Sequence, residues 1–358
     1  GGGRGTRAVT TADELEETYE RCTSEALSSF GNGTVYVEQF IPRARHIEVQ
    51  ILGDQHGTIT HLGERECSVQ RRFQKIVEIA PAPYLPAGLR QRIIQAAVRM
   101  ASAINYRSLG TFEFLVDATE VTDAADFFFI ETNARLQVEH TVTEEVTGID
   151  LVQAQIRVAG GSTLADLHLE QDAIPHARGY AIQARVNVER MEPDGNIRPA
   201  GGLITTFEPP SGPGVRVDSY GRQGYATNPN FDSLLAKVIG YSTAGFPEAV
   251  RRTSRALHEF EIGGIDTNIP FLQNVLEHEA FLGGTVHTRW VEDEIATLAA
   301  PRDTSEDAAS AAATGAGAAL DTRDPLASLE YFRSGGGTRS ATDTPAEPVG
   351  PPNSDPVR

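Results

Sequence analysis

Apolar positions first recur at helical spacing, with Leu15, Tyr19, Cys22 and Ala26 following a capping-box pattern at Thr11-Ala-Asp-Glu14 and stopping at Gly31-Asn-Gly33. One amphipathic helix is predicted there. A period of two then takes over: residues 34–40 read as a strand, and in 45–52 Ile47, Val49 and Ile51 alternate with His46, Glu48 and Gln50. A turn over 53–57 leads to a further strand at 58–62, so this stretch reads as an antiparallel sheet. Leu89, Ile93, Ala97, Met100 and Ile104 share one side of a helix from about Pro86 to Ile104, and a strand pair follows within 110–133. From Gly179 a second strand-rich stretch begins, where Ile182, Ala184, Val186 and Val188 alternate with polar residues. It closes on a helix carrying Val250, Thr253, Leu257 and Phe260, with Gly263-Gly264 expected to end it. The fold class is α+β.

Beyond about residue 300 the chain turns to Ala, Gly, Ser, Thr, Pro and Asp, which predicts a linker or disordered tail. The remainder, with 40% hydrophobic and 22% charged residues overall, has ordinary globular composition. A balance of 31 Lys+Arg against 49 Asp+Glu, −18 at neutral pH, disfavours nonspecific binding to nucleic acid or anionic membrane and leaves room only for a local basic pocket. Two cysteines, Cys22 and Cys67, are too few for a disulfide framework. With no long apolar run, a cytoplasmic protein is expected. The opening Gly1-Gly-Gly-Arg-Gly5 reads as the middle of a loop, with further sequence expected upstream.

The chemistry concentrates in Gly110-Thr-Phe-Glu-Phe-Leu-Val116 and Asp126-Phe-Phe-Phe-Ile-Glu-Thr-Asn133. A hairpin centred on Thr122 places Glu113 opposite Glu131 and Thr111 opposite Asn133. Alternation then assigns Phe112, Phe114, Val116, Phe128 and Ile130 to the core and both carboxylates with Asn133 to the other face. Three hard oxygen donors suit Mg²⁺ or Mn²⁺ completed by a nucleotide's phosphates. The alternative is a solvated sheet face on which the carboxylates splay apart. Glu131, Asn133, Arg135, Gln137 and Glu139 share one side of an extended run, an unusual density of functional groups. Arg135 could steady developing negative charge there and Glu139 could act as a base. Arg65, Arg71, Arg72 and Lys75 form a basic concentration that fits an anionic substrate or surface ion pairs. The opening glycines could cradle phosphates or merely link, and His46 fits a structural role as well as a ligand's.

Taken together, Gly2-Gly-Arg-Gly-Thr-Arg7, Arg45-His-Ile-Glu-Val-Gln50, Glu66-Cys-Ser-Val-Gln-Arg-Arg-Phe-Gln-Lys75, Gly110-Thr-Phe-Glu-Phe-Leu115 and Glu131-Thr-Asn-Ala-Arg-Leu-Gln-Val-Glu-His140 resemble biotin carboxylase, of the ATP-grasp fold. The likeness continues through Gly212–Asp218, Phe231–Lys237 and Ile265–Asn268. It implies a ligase in which bicarbonate attacks the γ-phosphate of ATP and the resulting carboxyphosphate delivers CO₂ to biotin on a carrier. By resemblance, Gly2 and Gly3 match a phosphate loop, Glu38, Gln39, Phe40 and Ile41 the adenine hinge, and His46 and Gln70 other ATP contacts. Glu113, Glu131 and Asn133 match the metal ligands, in agreement with the hairpin argument. Lys75, Arg135, Gln137, Val138 and Arg216 match the bicarbonate and biotin pocket, with Glu139 as the base and Arg135 stabilising the biotin enolate. The domains implied are a lid remnant at 1–40, a catalytic core at 41–177, the biotin carboxylase C-terminal domain at 178–297 and the tail at 298–358.

Phe73 stands where the family pattern has His, and Glu189-Arg-Met departs from its usual Glu-Asp. Two phosphate-binding lysines belong, by resemblance, to a stretch before Gly1, so the printed chain is expected to bind ATP poorly or turn over weakly. Asp324-Pro-Leu-Ala and the stretch after it resemble the join to a biotin carrier domain in fused multidomain carboxylases, and Gln183–Asn187 and Glu208–Arg216 look most like a fused acyl-CoA carboxylase of fatty acid metabolism, with carrier and carboxyltransferase domains as partners and a homodimer expected. Rivals are another ATP-grasp ligase, such as a carbamoyl-phosphate synthetase, and a catalytically silent module. The carboxyl acceptor is not legible in these residues.

Overall fold

The computed structural model describes residues 6–192, 194–228 and 231–302. Gly2 and Gly3, and the expected tail past residue 302, lie outside them. In chain order the elements are α1 (Leu15–Phe30), β1 (Ala44–Gly53), β2 (Ile59–Arg71), β3 (Gln74–Ala80), α2 (Ala87–Ala103), β4 (Ser108–Asp117), β5 (Phe127–Asn133), α3 (His140–Thr147), α4 (Leu151–Ala159) and β6 (Tyr180–Asn187). There follow β7 (Glu189–Met191), β8 (Ile197–Pro199), β9 (Thr206–Glu208), β10 (Val215–Ser219), β11 (Leu234–Ser242), α5 (Phe246–Glu259), β12 (Glu261–Gly263), α6 (Ile269–Glu277), α7 (Glu279–Leu282), α8 (Trp290–Asp293) and α9 (Ile295–Leu298).

Eight strands form one antiparallel sheet in the order β10-β11-β6-β3-β2-β1-β4-β5, so the pairing of β3 with β6 carries it from the first strand-rich stretch into the second. Period-two alternation gives this sheet one apolar face. On it Ile47, Val49, Ile51, Phe112 and Phe114 pack against Leu89, Ile93 and Ala97 of α2. Farther along, Val77, Ile182, Ala184 and Val238 pack against Val250 and Leu257 of α5 and Leu272 of α6. The polar side chains of the same strands point the other way, toward α3 and the turn before it. Close approach of β11 to α5 requires Gly240, where a Cβ would lie 2.2 Å from Thr253 Oγ1 and 2.7 Å from Thr253 N. Gly240→Ala is therefore expected to destabilise the protein by about 1–3 kcal/mol, read as a lower urea midpoint at unchanged slope.

Several local expectations change. Residues 32–41 form no strand; Tyr36 and Val37 are 81% and 80% exposed, so the alternation there finds no neighbouring strand among the described residues. The cap before α1 is displaced by one residue, because Thr10 N rather than Thr11 meets Glu14 Oε2, at 3.3 Å. Strand β2 runs on to Arg71 through the segment read as a basic concentration. The helix α5 ends at Glu259, and Gly263 instead closes the short strand β12, with Gly264 directly after it. In the β4–β5 hairpin the predicted pairs Glu113 with Glu131 and Thr111 with Asn133 both form, but a bulge at Ile130 shifts the register beyond them to Phe114 with Phe129 and Val116 with Phe127. One extra residue reverses which side chains face the core. Phe127 and Phe129, not Phe128 and Ile130, therefore stack on Phe114, with ring centroids 5.7 and 5.8 Å away.

Candidate functional site

Register across four strands builds the site. Arg65 on β2 faces Glu48 on β1, Glu48 faces Glu113 on β4, and Glu113 faces Glu131 on β5. Three carboxylates on adjacent strands repel unless cations separate them. Arg65, fully buried, donates from Nε to Glu48 Oε1 at 2.5 Å and from its terminal nitrogens to Gln50 at 2.8 Å and Thr143 at 3.0 Å. Lys75 Nζ lies 2.5 Å from Glu48 Oε2, 2.6 Å from Glu139 Oε1 and 3.3 Å from Glu113 Oε1. Burial would lower the Lys75 pKa, but Glu48, Glu139 and Glu113 outweigh it and hold the ammonium well above its usual range. The expected basic cluster is thus no exposed patch at Arg65 and Lys75: both are folded inward against carboxylates.

Glu113 collects the most partners. His46 Nε2 is 2.8 Å from its Oε2, while Gln137 Nε2 and Asn133 Nδ2 donate to its Oε1 at 2.6 and 2.8 Å. Burial pushes its pKa up, but the His46 hydrogen bond and charge, with Lys75, hold it down to about 2. A carboxyl depressed in the fold contributes stability that is present above its unfolded pKa and lost as pH falls through the folded one. The stability gap between the wild type and Glu113→Gln should therefore close as pH falls from about 4.5 toward 2, in paired urea titrations.

Asn133 Nδ2 also donates to Glu131 Oε1 at 2.8 Å, so Asn133 joins the two carboxylates read with it as metal ligands, with Glu131 exposed at the open side. Their donor chemistry fits a hard divalent cation whose remaining positions are filled by phosphate oxygens. Arg135 Nη2 donates to Asn133 Oδ1 at 3.2 Å, at the exposed rim. His46, Glu48 and Glu113 also bring ligand atoms within 4.8 Å of one another, but Arg65 and Lys75 already saturate Glu48.

Strand β5 ends at Asn133, yet Gln137 and Glu139 still turn inward, 6% and 2% exposed. The solvated-face alternative fails at Glu113, which is buried and joined to the exposed Glu131 through Asn133. Glu139 receives Lys75 on Oε1 and Arg185 Nη2 on Oε2 at 3.1 Å. Burial and the Glu48 charge raise its pKa; Lys75, Arg185 and Arg65 outweigh them and keep it below the usual carboxylate value. Gln70 Nε2 is 2.6 Å from His46 Nδ1, so these two sequence candidates meet. Arg216 belongs to a neighbouring cluster, donating to Asp218 at 2.9 Å and Glu144 at 2.8 Å, while Lys237 contacts Asp218 and the Val138 carbonyl. Glu38 to Ile41 lie in the strandless segment before β1, and Phe73 is exposed at the tip of the β2–β3 turn with φ of 63°. Sequence reasoning missed Glu48, Glu78 and Arg185. The signal available for Glu48 was its place on β1 between Arg65 and Glu113, which only strand order reveals.

Residues 1–167 match the family described as carbamoyl-phosphate synthase L chain, ATP binding domain, which alone would also suit the rival ligase. Residues 183–293 match the biotin carboxylase C-terminal domain. The chain belongs to the biotin carboxylase family. Pyruvate carboxylase 1 of Caenorhabditis elegans is 51% identical over 294 residues, and the mitochondrial pyruvate carboxylase of Homo sapiens equally so; these residues are 82% of this chain and 24% of each relative. The chain thus spans about a quarter of the length of those relatives. Among solved structures, the biotin carboxylase domain dimer of Hydrogenobacter thermophilus 2-oxoglutarate carboxylase, in complex with MgADP, ADP and bicarbonate, is 40% identical with a TM-score of 0.78, covering 84% of this chain and 64% of that one. Pyruvate carboxylase of Rhizobium etli, also 40% identical with a TM-score of 0.78, covers 86% and 27% respectively. The expected ATP-grasp biotin carboxylase fold and ligase family stand. The finer expectation of an acyl-CoA carboxylase in fatty acid metabolism finds no support in these curated relatives, which are pyruvate carboxylases. Among the described residues no helix is long and apolar enough to cross a membrane.

Proposed function

We propose that these residues catalyse ATP- and bicarbonate-dependent carboxylation of biotin on a carrier domain, by way of carboxyphosphate. The observation that carries the reading is Glu139, 2% exposed, ionised between Lys75 and Arg185 and joined through Lys75 to the oxygen-donor group of Glu113. Glu139 takes the proton of bicarbonate, whose freed oxygen attacks the γ-phosphorus while ADP leaves. Lys75 and Arg216 supply positive charge to the anion. Carboxyphosphate then breaks its C–O bond to give CO₂ and phosphate, the released phosphate takes the ureido N–H proton, and the ureido nitrogen bonds to the CO₂ while Arg135, with Gln137 and the Val138 backbone, holds the biotin. Glu113, Glu131 and Asn133 would hold Mg²⁺, which when bound offsets phosphate charge. Glu38, Gln39, Phe40, Ile41, His46 and Gln70, with Gly2 and Gly3, are assigned to ATP by their family positions.

The family match over residues 183–293 favours this chemistry over the rival ATP-grasp ligase. Carrier and carboxyltransferase domains are the proposed partners, as in the relatives' fused type, and the 2-oxoglutarate carboxylase dimer supports a homodimer. Cys22 and Cys67 are both buried and free, which fits a reducing compartment such as the cytoplasm or the mitochondrial matrix. Because a bicarbonate oxygen becomes bonded to phosphorus, ¹⁸O-labelled bicarbonate supplied to the full-length protein that carries these residues should leave label in inorganic phosphate. Unlabelled phosphate from a turning-over enzyme would exclude carboxyphosphate.

A further inference from the structure

The second cation on Glu139 comes from a different part of the chain than the rest of its surroundings. Arg185 projects from β6, beyond the stretch that supplies Lys75, Glu48, Glu113 and Glu139 itself, and only 17% of its side chain is exposed. Its Nη2 meets Glu139 Oε2 at 3.1 Å. The guanidinium is itself fixed, because its Nε donates to Glu78 Oε1 at 2.5 Å and Glu78 is fully buried. Glu78 Oε2 in turn accepts from Gln183 Nε2 at 2.8 Å, and Gln183 Oε1 accepts from Thr141 Oγ1, in the first turn of α3. The chain Glu139, Arg185, Glu78, Gln183, Thr141 thus leaves and returns to one stretch of backbone, closing a ring around the carboxylate. On the other oxygen, Lys75 divides its three donors among Glu139, Glu48 and Glu113, so it can release Glu139 and keep two partners. Arg185 has no such freedom: its planar fork is committed to Glu78.

Resting on the reading of Glu139 as the base, we propose that Arg185 is a positioning residue that pins Oε2, leaving Oε1, the oxygen shared with Lys75, to accept the bicarbonate proton. When the anion enters, Lys75 turns toward it, Oε1 loses a cation and gains basicity, and Oε2 stays in place. The charged and titratable groups around Glu139 are Lys75 and Glu78 on β3, Arg65 and Cys67 on β2, Glu48 on β1, Arg185 on β6, Lys237 on β11 at the Val138 carbonyl, and the adjoining His140. Arg185 is the one among them that bonds Oε2.

The test is the pH dependence of kcat/KM for bicarbonate in the full-length protein, in wild type, Arg185→Gln and Arg185→Lys. Removing a cation from a carboxylate raises its pKa, so Arg185→Gln should move the acidic limb to higher pH by about one unit or more and lower kcat/KM for bicarbonate roughly tenfold or more, with KM for ATP unchanged. Arg185→Lys, retaining charge, should recover most of the limb position but less of the rate. The double variant Glu78→Gln/Arg185→Gln removes the buried pair together and answers for a single variant that fails to fold; its limb should move with Arg185→Gln. A limb at the wild-type position in either the single or the double variant, with activity lost only in proportion to folded protein, would overturn the proposal. Wild-type protein lacking bicarbonate-dependent turnover would instead strike at the function reading itself.

Discussion

Replacing Arg65 by Met should destabilise the protein by about 3–5 kcal/mol, the largest loss expected from any single change in the site. Met keeps much of the volume and packs easily, so the cost is electrostatic. Arg65 is fully buried and bonds Glu48 at 2.5 Å, Gln50 at 2.8 Å, Thr143 at 3.0 Å and Thr111 at 3.2 Å. Without it Glu48, 0% exposed and facing Glu113 across the β1–β4 ladder, keeps only Lys75 and, 4.0 Å away, His46, and the buried acceptors on Gln50, Thr111, Gln137 and Thr143 lose a donor. A double variant, Glu48→Gln/Arg65→Met, should recover a large part of that loss, because the uncompensated buried carboxylate is gone. Urea midpoints of the wild type, both single variants and the double variant make the thermodynamic cycle that checks this. Losses that simply add would show that Arg65 acts through packing.

Glu139→Gln is expected to do the reverse: leave stability nearly intact and cut bicarbonate-dependent turnover by about 10²–10⁴-fold. Lys75 retains Glu48 and Glu113, and Arg185 retains Glu78, so neither cation is orphaned by the change. Glutamine matches the shape and can still accept from one cation, but it cannot take the bicarbonate proton. Melting temperature and circular dichroism close to wild type, alongside that loss of kcat, separate a missing base from a missing fold. Turnover within a few-fold of wild type would remove Glu139 from the base role.

How far the sequence could be read follows from where each signal resides. The β4–β5 hairpin was legible because alternation on either side of a polar loop centred near Thr122 specifies local register, and the pairing of Glu113 with Glu131 needed nothing more. The bulge at Ile130 was not legible, since Phe127-Phe-Phe-Ile130 is apolar throughout and lends itself to either register. The segment 34–40 shows the converse: strand-like alternation with no partner strand beside it among the described residues. Strand β2 past residue 62 was hidden because its charged side chains, Glu64, Arg65 and Glu66, are buried and paired instead of solvated, so the usual polar signal of a loop misled. Glu48 and Arg185 depend on the order of nonadjacent strands, β2-β1-β4 and β3-β6, which no local pattern encodes.

The central claim is that the row of charges from Arg65 to Glu131, with Lys75 and Glu139 above it, serves bicarbonate and ATP together. The most direct test is ATP hydrolysis by the full-length protein that carries these residues, with Mg²⁺ present and with bicarbonate and free biotin each added or withheld. The account predicts hydrolysis that requires bicarbonate and rises further when biotin is added. ATP turning over equally well without bicarbonate, or a folded protein that hydrolyses none under any of these conditions, would contradict it.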